Sequence, residues 1–144
     1  MSHVLAAAAA AVAVLMPGAI PAAIPATGAA SPAILLDDLS QHASVKPATF
    51  QVTNDIALSG LHWSGWGTPT ARGEGTLTID TCTPNCAQGR TRVLHGAELQ
   101  VHGVRMDRGE RFYRQYRIVD RAFTAQDRAT FSTWTNAYVP SDFG

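Results

Sequence analysis

The sequence predicts an all-β fold, a small antiparallel β-sandwich or a partly open barrel of about six strands that follows an N-terminal signal segment. Two observations lead to this class. Short runs in which apolar and polar residues alternate recur from residue 48 onwards, with glycine-rich turns between them. No long segment shows a convincing helical period. Nothing in the pattern requires the sheet to close, so the sandwich is slightly preferred.

Residues 1–30 are predicted to be an export signal and not part of the fold. Val4 to Met16 is an unbroken apolar run, shorter than the about 20 residues of a membrane span. Small residues and prolines follow up to Ala30, as signal peptidase requires. We therefore expect a secreted or extracellular protein that begins near Ala30 or Ser31 and has no membrane span after cleavage. An uncleaved anchor is the alternative, because the first three residues include no Lys or Arg.

Residues 31–47 are expected to form an extended or short helical arm, and residues 48–144 the β domain. In that domain, Thr49–Thr53 and Ile56–Trp63 predict a hairpin whose turn is Asn54-Asp55. Gly60 stands where the apolar phase of the second strand changes, which is typical of a β-bulge.

Arg72–Thr81 gives the clearest strand pattern, with Leu77 and Ile79 on one face. Gly73 and Gly75 share that face, and the space they leave predicts that a tryptophan from the paired strand fills it. The next strand, Arg92–Val101, alternates so that four apolar residues lie in phase: Val93, Ala97, Leu99 and Val101.

The last third of the chain is harder to assign. Arg111–Val119 fits both a strand and a helix, and its aromatic and β-branched content favours a strand. Thr130–Val139 is predicted to be the last strand because it is rich in Thr, Phe, Trp and Tyr, and Pro140 ends it.

Cys82 and Cys86 enclose Thr83-Pro84-Asn85 in a turn after the Arg72–Thr81 strand. The pair could form a disulfide, a redox couple or half of a metal site. A zinc site needs four ligands and the chain has no second cysteine pair. A thioredoxin-like couple has two intervening residues and precedes a helix. If the chain is exported, a structural disulfide is the expected state.

Three motifs in this region resemble those of small exported actinobacterial proteins with no assigned function. They are Gly-Leu-x-Trp-x-x-Trp-Gly at Gly60–Gly67, Ala-x-Gly-x-Gly-Thr at Ala71–Thr76 and Cys-x-Pro-x-Cys-Ala-x-Gly at Cys82–Gly89. The resemblance implies an exported β domain. It supplies no activity and no catalytic residues.

The formal net charge is +0 at pH 7, so no overall field attracts the protein to nucleic acid or to an acidic membrane. The arginines are nevertheless concentrated between Arg90 and Arg128. Trp66 is the tryptophan expected to be exposed. Together with the densest part of this arginine-rich stretch, it forms a candidate binding surface: Arg111, Tyr113, Arg114, Tyr116, Arg117 and Trp66. Arginine beside tyrosine binds anionic groups and stacks on sugars, so an anionic polymer or a cell-wall component is the expected partner. A solvated strand face with cross-strand ion pairs is the simpler interpretation.

No catalytic or metal-binding residues are assigned from the sequence, and no cofactor is expected. Glu74 and Asp80 share a strand face about 20 Å apart, too far to act together. Glu74 could face Glu98 or Asp120 across strands, but the sequence does not show it. His95 and His102 have opposite parity, so a shared metal site needs a change of register at Gly96. We therefore expect a non-catalytic binding or structural module, with a small secreted hydrolase or enzyme inhibitor as the alternative.

Overall fold

The computed structural model describes residues 30–144, together with Gly18 and Gly28. Apart from these glycines and Ala30, the signal peptide predicted at residues 1–30 lies outside the described residues. Within the described part of the chain, no helix is long and apolar enough to cross a membrane.

The fold is dominated by strands that join in a single sheet. The elements in chain order are β1 (Ile34–Leu35), β2 (Phe50–Thr53), β3 (Ile56–Ser64), β4 (Thr70–Thr81), β5 (Arg90–Asp107), β6 (Glu110–Val119), helix α1 (Ala125–Phe131), β7 (Thr135–Asn136) and a 3-10 helix (Pro140–Phe143). The spatial order is β1-β6-β5-β4-β3-β2, and β7 also pairs with β6. β1 runs parallel to β6, and the other pairs are antiparallel.

This sheet curls into a half-barrel, which confirms the all-β class and the partly open barrel. The slightly preferred sandwich is not formed, because the length of β5 keeps the strands in one sheet. β5 pairs with β4 from Arg90 to His102 and with β6 from Glu98 to Asp107. The first part of this long strand therefore pairs with β4 and its last part with β6, so the sheet stays a single layer.

Two glycines with positive φ produce the bulges that bend the sheet. The predicted bulge at Gly60 is confirmed, since φ is 61° and the β3–β4 register shifts between Ser59 and His62. A second shift in the β4–β5 register lies at Gly96, where φ is 80°. Because of this bulge, the prediction that Val93 faces the same side as Ala97, Leu99 and Val101 is wrong. Val93 is 48% exposed and Leu94 packs against the core instead.

The core contains the tryptophan that the glycines of β4 were predicted to accommodate. Trp63 is paired with Gly73, and a Cβ on Gly73 would lie 3.0 Å from the indole ring. Gly75 has no room for a side chain either, because its Cβ would lie 2.5 Å from the backbone oxygen of Ser59. The two glycines thus allow β3 and its side chains to approach β4 closely.

Residues 31–47 add a strand to the sheet and cover one of its edges. Ile34 pairs with Arg111 in β6. Further on, the Asp38 carboxylate accepts a hydrogen bond of 2.6 Å from the backbone N–H of Gln51, and Leu39 donates to the Gln51 carbonyl. These contacts satisfy backbone groups on the free edge of β2, which would otherwise be open to pairing with another chain.

Near the C-terminus, the strand predicted at Thr130–Val139 is wrong, whereas the ambiguous Arg111–Val119 segment is strand β6. The chain instead forms α1 followed by the two-residue β7. Thr124 caps the helix in a reciprocal capping box with Asp127. Phe123 is buried and packs against Phe131, with the ring centroids 5.6 Å apart. Capping and aromatic burial here outweigh the β propensity of the segment.

Candidate functional site

The aromatic residues of the predicted Arg/Tyr surface lie largely inside the protein. Tyr113 is 0% exposed; its hydroxyl donates to the Thr68 carbonyl at 2.7 Å and accepts from the Gly67 N–H at 3.0 Å. Tyr116 is half-buried, with its ring edge-on to Phe50 at 4.9 Å. Burial raises the pKa of both tyrosine hydroxyls. Tyr113 is therefore a core residue that no ligand can reach in this structure.

Trp66 was expected to be exposed, and the structure places it as an anchor for the N-terminal segment. Its ring packs edge-on against Trp63 and Tyr113, with centroid distances of 4.6 and 5.1 Å. Its indole N–H donates to the Ile34 carbonyl at 3.0 Å. Trp66 thus joins the β3–β4 turn to β1, and it is half-buried.

The three arginines of that surface each have a different internal partner. Arg111 donates to the Pro32 carbonyl at 3.1 Å. Arg114 donates through two nitrogens to Asp142, at 2.7 and 3.2 Å, and this guanidinium holds the pKa of the carboxyl below its usual range. The structure therefore does not bring the six predicted residues together as one surface.

Arg117 belongs to another set of residues, on the side of the sheet opposite the core. Three cross-strand rows cover this side, and we call their polar members the polar face: His62–Glu74–Glu98 (a row that ends at Val119 in β6), Ser64–Arg72–Gln100–Arg117 and Thr70–His102–Gln115–Asn136. The rows between them carry core residues such as Leu99 and Val101, which are both 0% exposed. Because paired residues project to the same side of a sheet, each row presents polar side chains to a common surface.

One end of the polar face is acidic. His62, Ser64, Arg72, Glu74 and Glu98 line a cleft of about 390 Å³, which we call the acidic cleft. Glu74 is directly paired with Glu98, a cross-strand pairing that the sequence alone does not show. Glu98 is 3.9 Å from the guanidinium of Arg72 and accepts from Gln100, whereas the exposed Glu74 has no ion pair among the described residues.

The centre of the polar face is a chain of stacked and hydrogen-bonded side chains. Arg117 donates to the Gln100 side-chain oxygen at 2.8 Å, and its guanidinium lies 4.6 Å from the Trp134 ring centroid. The His102 ring lies on the same tryptophan, with centroids 3.8 Å apart. The Nε2 atom of His102 is buried and has no hydrogen-bond partner among the described residues.

The opposite end of the polar face is basic. Gly103, Arg105, Arg114, Gln115 and Asn136 line a cleft of about 170 Å³, which we call the basic cleft. Arg105 belongs to the arginine-rich stretch from Arg90 to Arg128 that the sequence marks, whereas Gln115 and Asn136 carry no signal in the sequence. They meet here because β5, β6 and β7 are neighbours in the sheet.

Three of the described histidines, His62, His95 and His102, lie in different surroundings. His95 lies 3.3 Å from the Thr76 hydroxyl, His102 lies against Trp134, and His62 lines the acidic cleft. Within residues 30–144 and the two described glycines, no group of three His, Cys, Asp or Glu side chains is placed to hold a metal ion.

Cys82 and Cys86 form the expected disulfide. It closes the loop between β4 and β5, and residues 82–88 are all exposed. The loop lies beyond the end of the polar face, since β4 and β5 pair up to Thr81 and Arg90.

The fold and these clefts define a small all-β domain with a polar sheet face and an exposed, disulfide-closed hairpin loop. No family model, no curated protein and no solved structure matches the chain.

Proposed function

We propose that this protein is an exported, non-catalytic binding module of the cell envelope or the surrounding medium, and that it binds an extended anionic polymer on the polar face. The observation that carries the proposal is the set of three polar rows that crosses four strands between two clefts. A surface used for burial against another protein would carry apolar residues at its centre. A polar surface with many donors and acceptors suits a hydroxylated polymer. Its anionic groups would lie towards the basic end of the face, because Glu74 and Glu98 repel negative charge at the acidic end.

The dimensions of the face also support this proposal. Glu98 and Arg105 mark the two clefts along β5. Seven residues of strand span about 24 Å, long enough for several units of a polymer. Trp134 lies between the clefts, half-buried, with Arg117 and His102 against its ring.

The test is retention on columns that carry a polyanionic polysaccharide, with an uncharged polysaccharide as the reference. We expect retention on the polyanion that salt removes, and its loss in Arg72→Gln/Arg105→Gln. The matched control is Arg90→Gln/Arg121→Gln, which removes the same charge from exposed arginines outside the polar face. No retention, or equal loss in the two double variants, would count against the polar face as the binding surface.

Export has its own test, the intact mass of protein recovered from the culture medium. A chain beginning near Ala30 or Ser31, lighter by about two hydrogens than its reduced form, is expected. The disulfide between exposed cysteines supports an oxidising environment. Recovery of the full-length chain from the cytoplasm with two free thiols would refute this part of the proposal.

The acidic cleft favours a second candidate function, a small secreted hydrolase. Directly paired strand residues have Cβ atoms about 4.5–5.5 Å apart, so Glu74 and Glu98 could approach the about 5 Å separation used by retaining glycosidases. This candidate predicts that a polysaccharide is cleaved and that Glu74→Gln and Glu98→Gln each abolish cleavage. Binding without cleavage, unchanged in affinity by either variant, would reject it.

An enzyme inhibitor is the other form of that alternative, and it would use the exposed loop around Pro84. The disulfide holds this loop at the tip of the β4–β5 hairpin, away from the core. Dose-dependent inhibition of a secreted protease that Asn85→Ala weakens would support it. A panel of secreted proteases that keep full activity would reject it.

A further inference from the structure

We propose that the basic cleft is a binding site for one sugar acid, a hydroxylated unit that carries a carboxylate. This inference rests on the proposed function, because it names the unit of the polymer that the polar face would recognise. It starts from the hydrogen-bonding groups of Arg105, Gln115 and Asn136, which line the same cleft.

Arg105 supplies a guanidinium that the protein does not use itself. Its side chain is exposed and makes no hydrogen bond or ion pair with any other described residue. The neighbouring Arg114 is different, since it is bound to Asp142 and to the Ala137 carbonyl. In the part of the chain that the structure describes, no carboxylate lines the basic cleft, so the Arg105 charge is available to an anion.

This arrangement distinguishes Arg105 from two other arginines that line clefts without a side-chain partner. Arg111 lines a cleft beside Ile34 and Thr70, but its guanidinium donates to the Pro32 carbonyl. Arg90 lies in a cleft with Asp55 and Asp80, whose two negative charges outweigh it. The basic cleft therefore attracts an anion, whereas the cleft beside the disulfide does not.

The two amides decide what kind of anion fits. Among the described residues, the side chains of Gln115 and Asn136 make no hydrogen bond, and each offers both a donor and an acceptor. A bare sulfate has no hydrogen to give to the amide oxygens. In a sugar acid the carboxylate accepts from Arg105 and the neighbouring hydroxyl groups donate to the amide oxygens, so the acceptors that sulfate leaves unpaired are satisfied as well.

The size and floor of the cleft agree with a single sugar unit. Its volume is about 170 Å³. Gly103 forms part of the floor with φ of 71°, and a Cβ there would lie 3.7 Å from the Gln115 side-chain oxygen. A side chain at this position would occupy the space in front of the Gln115 amide.

The experiment is an NMR titration of the whole protein with four probes: sodium glucuronate, glucose, sodium acetate and sodium sulfate. We expect glucuronate to shift the amide signals of Gly103, Arg105, Gln115 and Asn136, with an affinity at least tenfold higher than that of the other three. Arg105→Gln should abolish the shifts, and Asn136→Ala should weaken binding severalfold. Arg121→Gln, an exposed arginine outside the cleft, should leave the titration unchanged, and unaltered signals elsewhere would show that each variant is folded.

Equal affinity for sulfate and glucuronate would overturn the sugar-acid assignment, and so would binding that survives Arg105→Gln. The outcomes also separate this inference from the proposed function. A polyanion that binds the polar face while glucuronate causes no shift at the basic cleft refutes the inference alone. Glucuronate binding at the cleft with no retention on any polymer supports the inference and refutes the polymer-binding function.

Discussion

The ion pair between Arg92 and Asp127 is predicted to be the strongest single connection between the sheet and α1. The guanidinium of Arg92 in β5 donates through two nitrogens to the carboxylate, at 3.1 and 2.9 Å. The same carboxylate accepts from the Thr124 N–H at 2.9 Å in the capping box. Asp127→Asn weakens both interactions at once, while the size of the side chain is preserved.

The magnitude follows from these contacts and from their exposure. The cap is worth about 1 kcal/mol. The pair lies between a buried and a surface salt bridge, because the side chains of Arg92 and Asp127 are 39% and 10% exposed. After a discount for solvent screening, it contributes about 1–2 kcal/mol. Asp127→Asn keeps the bond from its own N–H to the Thr124 hydroxyl, so at most the whole of the cap is lost. It should therefore lower the free energy of unfolding by about 1–3 kcal/mol, roughly 4–12 °C in Tm for a domain of this size.

A double-mutant cycle separates the pair from the cap. Chemical unfolding is followed for Arg92→Met, Asp127→Asn and the double variant, and Thr124→Ala reports the cap by itself. Arg92→Met keeps the aliphatic stem, so packing changes little. We expect a coupling energy of about 1–2 kcal/mol between positions 92 and 127. A coupling energy below about 0.3 kcal/mol would refute the assigned role of the pair.

The same pair predicts how stability depends on pH. Hydrogen bonds from Arg92 and from Thr124 hold the pKa of Asp127 far below its ordinary value of 3.8. In the unfolded chain that pKa returns to about 3.9, so the unfolded state binds the proton more readily. The stabilisation is fully present above about pH 5 and is lost as the pH falls further. The difference in unfolding free energy between wild type and Asp127→Asn should narrow from pH 5 to pH 2, and a difference that stays constant would contradict this.

Three further predictions concern other parts of the domain. Gly73→Ala should destabilise by about 1–3 kcal/mol, because its Cβ would lie 3.0 Å from the Trp63 indole; Trp63→Phe should recover part of the loss in thermal unfolding, and no recovery would exclude a clash with that ring. Replacing Cys82 and Cys86 by serine should cost up to about 2 kcal/mol and increase hydrogen exchange only in the loop, since the loop is exposed; faster exchange throughout the sheet would contradict this. Asp38→Ala should cost about 1.5–3 kcal/mol by removing the acceptor of three hydrogen bonds, one from Gln51 at the edge of β2 and two from Ser40; an unchanged midpoint of chemical unfolding would show that these contacts contribute nothing.

Local patterns in the sequence were sufficient for five strands of the sheet. β2 to β6 all lie where alternation or aromatic content predicted them. The bulge at Gly60 and the space beside Gly73 were also predicted correctly. Alternation reports which residues of one strand share a face, and a glycine out of phase reports a local bend. Both signals are contained within a few consecutive residues.

Two other local features of the sequence, a capping-box spacing and a glycine within β5, indicated structure that was not predicted. Thr124 and Asp127 have the spacing of a capping box, and this pattern could have revealed α1. The aromatic content of the residues that follow favoured a strand instead. A change of register at Gly96 was predicted only as the condition for a metal site shared by His95 and His102. The bulge at Gly96 also exposes Val93 to solvent.

The sequence by itself determined strands β2 to β6, the bend at Gly60 and the spacing that allows the Cys82–Cys86 bond, because each depends on neighbours along the chain. Only the tertiary structure decided that the sheet curls as one layer, that Tyr113 enters the core, and that Arg105 meets Gln115 and Asn136. The physical reason is strand order and register. Which side chains face one another across β3 to β7 depends on pairings between distant segments, and no local pattern specifies them.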